Sequence, residues 1–388
     1  MSGKLLRLVC VAATAAGTVL VPVPATAVPE PDTEQRHVAE LLTDLQTLYR
    51  KAEKATEAYN ATEEKLKEQR AETDRLDRAL ARARLSLHDS RGAAGRLARQ
   101  QYQSSTDISP YVRLLLARDP QHAIEQGHVI GRLAQERADT VGRLTGNEHK
   151  AHELARKARK ALDEQLALTE RRKKERDEVR ARLHDVEEVL ASLSREQLTA
   201  LAAFERNGVT KAQEEFMASG ALGHGGSSSV RTPSAEGDRA VRYAVRQLGK
   251  PYEWGAEGPG TYDCSGLTSQ AWAEAGMPIP RTSQEQWEQL ERIPLDQLRP
   301  GDLVVYFPEA THVALYLGDG MVVQAPRPGA KVKVSPIAAN PVLGAVRPDP
   351  TGKPLRRYEP PELPEGATDG PDEGFEGYAA PAPDTSAR

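Results

Sequence analysis

Between Thr33 and Gln103 the chain runs without a proline, and Gly92 and Gly95 are its only glycines there. Ala, Leu, Glu, Arg, Lys and Gln dominate this stretch, and all are strong helix formers. Leu76, Leu80, Ala83 and Leu87 recur at alternating steps of four and three, as do Val179, Leu183, Val186, Leu190 and Leu193. That alternation is a heptad seam, which buries a narrow apolar stripe against another helix. Charge covers the other faces, as in the run from Glu170 to Arg180. It reads as a solvated helical face rather than a nucleic-acid contact. The seam breaks near Ser104–Pro110, and a short apolar helix lies before Pro120. Two long helices around a broken middle predict an all-α coiled-coil hairpin over 33–218. A helix of 70 residues would be on the order of 105 Å long.

With 28% charged residues and a net charge of −4, the whole chain shows no basic footprint for nucleic acid. At its start, Lys4 and Arg7 precede an apolar run to Val23, and Ala25-Thr26-Ala27 is a small-x-small cleavage pattern. Residues 1–27 are therefore expected to be a secretory signal peptide. The run is short of the roughly 20 apolar residues a spanning helix needs, so no membrane insertion is expected after cleavage. The mature protein is expected outside the cell or on its wall. Cleavage removes Cys10 and leaves Cys264 as the one cysteine. A lone exported thiol is an inert buried group, an intermolecular partner or a nucleophile.

Residues 219–236 read as a Gly/Ser-rich linker, and 349–388 as a disordered, proline-rich acidic tail. His224 has no second ligand near it, and neither metal nor cofactor is expected. Phe375 and Tyr378 are one aromatic pair in the tail, too little by itself to define a docking motif. Between linker and tail, 237–348 holds all three tryptophans, Trp254, Trp272 and Trp287. It reads as one compact domain in which helices come first and an antiparallel sheet follows, an α+β layout. The helices are placed at 238–249, from Cys264 to Gly276, and at the run capped by Thr282 or Ser283. The strands are placed at 302–307, 312–317, 321–325 and 331–334.

Cys264 would occupy the first turn of its helix, where free N–H groups and the macrodipole favour a thiolate. A nucleophile needs a base, and His312 is the domain's one histidine. A third group must hold the imidazole, and Gln324, on the strand after the Gly318-Asp319-Gly320 turn, is placed to do so. Asp263 fits the helix N-terminus as a charge there.

The motifs PYEWG, YDCSGL, PRTS and GDLVVYF…HVALYLGDGMVVQAP resemble the catalytic domain of the NlpC/P60 cysteine peptidases. These are papain-like enzymes that cut peptidoglycan. The resemblance spans 237–348 and implies Cys264 as nucleophile, His312 as base and Gln324 as the third polar residue, where many relatives have histidine. It implies that Tyr252 helps bind the oxyanion or substrate, and that Asp263, Ser265, Arg281, Thr282 and Ser283 line the groove. The helical arm resembles those of actinobacterial wall hydrolases. The implied reaction is amide hydrolysis in the stem peptide, at the D-glutamyl–diaminopimelate bond. A coiled-coil scaffold that recruits or activates other cell-wall or division proteins is the alternative, and acyl transfer a third reading. The linker also motivates an expectation that the arm covers the groove.

Overall fold

The computed structural model describes residues 33–104, 110–116, 119–223 and 231–369. The expected leader, Cys10, His224 and the Phe375/Tyr378 pair lie outside the described residues.

Helix α1 runs Thr33–Ser104 and α3 runs Pro120–Ser192, with the short α2, Pro110–Leu115, between them. Asp119 caps α3 by accepting from His122 N at 2.8 Å, and Pro120 takes the first position, where its missing N–H costs nothing. α1 and α3 lie antiparallel. Leu76 and Leu80 meet Ala158 and Ala161, and Leu87 meets Ala151 further out. The hairpin is not two helices alone. At Leu193 the chain turns, and Ser194 and Gln197 form a reciprocal capping box that starts α4, Arg195–Ala218. Leu201 and Ala202 of α4 close a three-helix core with Leu45, Val186 and Leu190. The alternating seam runs on through Leu190 and Leu193, so only the cap at Ser194 marks this break.

The carboxy-terminal domain opens with α5, Ala235–Val245, capped by Ser234, followed by α6, Cys264–Glu274, and α7, Ser283–Gln289, capped by Thr282. Its sheet is antiparallel with order β1-β6-β2-β3-β4-β5. The strands are β1 Glu291–Ile293, β2 Leu303–Tyr306, β3 His312–Gly318, β4 Met321–Gln324, β5 Lys333–Pro336 and β6 Val342–Arg347. Helices α5 and α6 cover one face through Val241, Leu267 and Trp272. The other face packs Val304, Ala314 and Val322 beneath Phe216 of α4 and Leu222.

Sequence reasoning placed four strands and missed β1 and β6. β6 carries Gly344 in its middle, a residue that weakens a strand. A side chain there would meet the Trp287 ring at 2.7 Å, so the glycine answers to packing. The expectation of a disordered tail from residue 349 is corrected for the part described. Leu355 N donates to Pro233 O at 2.8 Å, and Val334 N of edge strand β5 donates to Ala367 O at 2.8 Å. Arg299 pairs with Asp349 at 3.0 Å. These contacts are mostly backbone contacts, and a composition lacking apolar residues does not report them.

Candidate active site

Asp263 ends the loop before α6 and is fully buried. Its Oδ1 accepts from Gly266 N at 2.6 Å, which caps the helix. Gly266 is required, since a Cβ there would lie 2.2 Å from Ala256 O. Arg281 grips the same carboxylate with both arms of its fork, at 3.0 and 2.7 Å. Its Nη1 also reaches Ser265 Oγ at 2.8 Å, and its Nε pairs with Glu257 at 3.1 Å. This cluster fixes the first turn of α6, and Cys264 sits on that turn.

His312 opens β3, one strand away from Gln324 at the end of β4. The observed pairing of Leu315 with Val323 sets Ala314 opposite Gln324, so residue 312 lies diagonally across on the same side. His312 Nε2 lies 2.7 Å from Gln324 Oε1, and Gln324 Nε2 donates to Ser335 Oγ at 2.8 Å. With the amide N–H₂ committed to Ser335, its oxygen accepts from His312. In the neutral ring the proton therefore sits on Nε2, and Nδ1 is the basic nitrogen, which takes a second proton when His312 pairs with Glu53. The Tyr306 ring stands 5.6 Å from the imidazole, centre to centre.

Side chains of α1 complete the site. Glu53 Oε1 is 3.3 Å from His312 Nδ1, a close ion pair rather than an aligned hydrogen bond. One turn on, Glu57 accepts from Ser265 Oγ at 2.8 Å and from Ser283 N at 2.8 Å, with Cys264 Sγ 3.8 Å away. Asn60 Nδ2 donates to Asp263 Oδ2 at 3.0 Å, and Tyr59 stands edge-on to Trp254 at 5.1 Å. A rise of about 6 Å separates residues four apart on a helix. Two glutamates at that spacing touch His312 and Cys264, so thiol and imidazole share one small cleft with the arm lying in it. α4 adds a second clasp, with Gln213 Nε2 on Gly320 O at 3.0 Å and its Oε1 on Ala338 N at 3.1 Å.

The arm sets the electrostatics. Burial pushes the Cys264 thiol well above its ordinary value, and Glu57, Asp263 and Glu53 push it further, against a backbone hydrogen bond at Ser265. The expected lowering by the helix N-terminus is overridden in this conformation, where Cys264 is only 2% exposed. Burial likewise pushes Glu57 up to about 7, helped by Asp263 and opposed by Arg281, Ser283 N and Ser265. For His312, burial works against the imidazolium, but the Glu53 carboxylate and Gln324 outweigh it and raise the pKa. Tyr252 is raised well above its ordinary value by burial and by Cys264 and the nearby acids, so it stays a phenol.

The sequence profile of the NlpC/P60 family matches residues 249–344. RipD of Mycobacterium tuberculosis, described as a non-catalytic NlpC/P60 domain protein adapted to peptidoglycan binding, is 33% identical. That match covers 96% of its chain and 29% of this one, with a TM-score of 0.26. Residues 249–344 form an NlpC/P60 domain. A probable endopeptidase of Corynebacterium glutamicum is 46% identical over 94 residues, 24% of this chain and 45% of that protein. The peptidoglycan endopeptidase RipA of M. tuberculosis is 38% identical over 130 residues, 29% of this chain and 28% of RipA. The chain thus spans less than half the length of either of these two curated relatives.

All nine residues singled out from sequence are buried, and contacts join most of them directly. Cys264, Asp263, Ser265, Arg281 and Ser283 form one cluster, His312 and Gln324 a second, and Tyr252 lies near both Cys264 and Asp263. Glu57 and Glu53 bridge the clusters. Sequence reasoning missed Glu53, Glu57 and Asn60, which sit about 200 residues earlier in the chain. A signal was present, since no Leu, Ile, Val or Met occurs between Leu48 and Leu66. A heptad seam that turns to Ala, Thr, Glu and Asn is facing something other than a partner helix. Among the described residues no group of His, Cys, Asp and Glu is arranged to hold a metal ion.

Proposed function

We propose that this protein is an exported peptidoglycan endopeptidase that hydrolyses an amide of the stem peptide, the D-glutamyl–diaminopimelate bond, through a Cys-His-Gln thiol mechanism. The observation that carries the reading is that Cys264, on a helix N-terminus, and an imidazole whose Nε2–H is fixed by Gln324 meet successive acids of one helix, Glu57 and Glu53. Once the arm withdraws, Nδ1 takes the Cys264 proton. Removal of Glu53 and Glu57 takes away two acids that oppose the thiolate, and the helix N-terminus then favours it. The sulfur attacks the scissile carbonyl, and the oxyanion forms near the Cys264 backbone N–H. Tyr252, held as a phenol, is a second donor. His312 passes its proton to the departing amine, and water activated by His312 then cleaves the thioester. The name of the RipA relative supports peptidoglycan as the substrate, that of the Corynebacterium relative supports endopeptidase activity, and the leader pattern supports action outside the membrane. Asp263 and Arg281 hold the first turn of α6 in place, while Ser265 and Ser283 face the substrate.

The test is digestion of purified peptidoglycan by residues 28–388 and by residues 231–369, with fragments read by mass spectrometry. Cys264→Ala and His312→Ala should keep the fold and abolish release of muropeptides. Undiminished release by either variant removes the mechanism. A specific observation favours a second reading, in which the domain binds wall without cutting it: the sulfur is covered, and RipD is a non-catalytic member. Absence of fragments from both wild-type forms would favour that reading.

A further inference from the structure

We propose that the arm is a proton-dependent latch: Glu57 enters the cleft protonated, opening delivers that proton to water, and the site is covered most tightly in acid. The inference deepens the reading above, since the covered site is the proposed peptidase site.

Burial and the neighbouring Asp263 set the proton count, against the Ser265 and Ser283 donors that favour the anion. Glu57 is 1% exposed and reaches no cation directly. Its partners are the Ser265 hydroxyl, the Ser283 N–H and the Cys264 thiol. The nearest full positive charge is Arg281, and its guanidinium is already spent on Asp263 at 2.7 and 3.0 Å and on Glu257 at 3.1 Å. The other charge that could help, His312, faces Glu53 at 3.3 Å. The titratable and charged groups around Glu57 are therefore Asp263 and Cys264 from α6, Arg281 from the segment before α7, and Tyr252 from the loop after α5. His312 of β3 and Glu53 of α1 complete them. An ionised Glu57 would be a further buried carboxylate beside Asp263 with a shared cation, which a low-dielectric site disfavours. Consistent with this, burial and Asp263 hold the Glu57 carboxyl at about 7.

The sign follows from linkage. The closed state binds the Glu57 proton at about 7, whereas an exposed glutamate binds it at about 4.3. Protonation thus favours the closed state. Its contribution is complete below the open-state value, is lost as the pH rises through the interval, and is absent above about 7. Across the interval the open fraction rises about tenfold per pH unit. Cys264 and His312 act in the same direction, because the arm's acids raise both groups only while it is seated. Contacts without a titrating group, Tyr59 on Trp254 and Gln213 on Gly320 and Ala338, hold the arm at any pH.

Residues 28–388 contain Cys264 as their one thiol. Its reaction rate with 2,2′-dipyridyl disulfide, measured from pH 4.5 to 8.5, is divided by the rate of Glu57→Gln, which carries a neutral side chain at every pH. The division cancels the thiol's own titration. The ratio should climb about tenfold per unit toward neutrality and level off above about pH 7. Glu57→Ala serves as a second reference in case the glutamine variant misfolds. A ratio that is flat or falls with pH against either folded reference overturns the latch. The readout needs no turnover. Flat ratios with an active peptidase would sink the latch alone, and the predicted rise with no muropeptide release would sink the peptidase reading alone.

Discussion

Gln324 is the residue whose role turns most on its exact partners. Its oxygen takes His312 Nε2–H at 2.7 Å while its nitrogen gives to Ser335 at 2.8 Å. A neutral amide so tied can hold only one tautomer of the imidazole, and it adds no charge to the cleft. Gln324→Leu would leave a buried ring N–H and a serine hydroxyl without this partner. An orphaned ring N–H costs about 1–3 kcal/mol. We expect a roughly ten- to hundredfold fall in kcat on a soluble muropeptide, since each 1.4 kcal/mol is a factor of ten. Gln324→His, which can still accept from Nε2–H, should keep most of the activity.

Among the elements, α1 does two jobs along one helix. Its distal part meets α3 through Leu76, Leu80, Ala83 and Leu87. Its proximal part, from Tyr49 to Asn60, turns acids and small residues onto the catalytic domain. What positions that acidic turn is the three-helix core below it, where Leu45 is fully buried against Val186, Leu190 and Leu201. Leu45→Ala should cost about 2–5 kcal/mol, the usual range for a cavity of this kind. Urea unfolding of residues 28–388 would read that loss in the arm's transition. The same variant should label faster at Cys264 under conditions where the arm stays folded, since the latch loses its footing.

At the scale of the molecule, two long-range closures wrap the domain. The arm lies in its cleft, and the segment after β6 returns to pair with Pro233 and with edge strand β5. Residues 231–369, which lose the first and keep the second, should release muropeptides faster than residues 28–388 below pH 7. A version ending at 348 should be less stable than one ending at 369, because Val334 N and Pro233 O lose their partners. Comparative activity assays and thermal melts check both outcomes. Equal activity of the short and long forms would count against the arm as a cover.

The sequence by itself determined what is local or periodic. The heptad steps gave the long helices, the Asp263-Cys264 turn gave the start of α6, and the two-residue period of β3 and β4 put His312 and Gln324 on one side. Those signals depend on neighbours a few residues apart, so they can be read without the fold. Only the tertiary structure decided that Glu53 and Glu57 enter the cleft, that Gly344 serves Trp287, and that the proline-rich stretch after 349 is packed. Each depends on groups brought together from distant parts of the chain. The state of the Cys264 sulfur follows the same division: a helix N-terminus alone favours its anion, and two acids from a helix some 200 residues earlier hold it as a thiol.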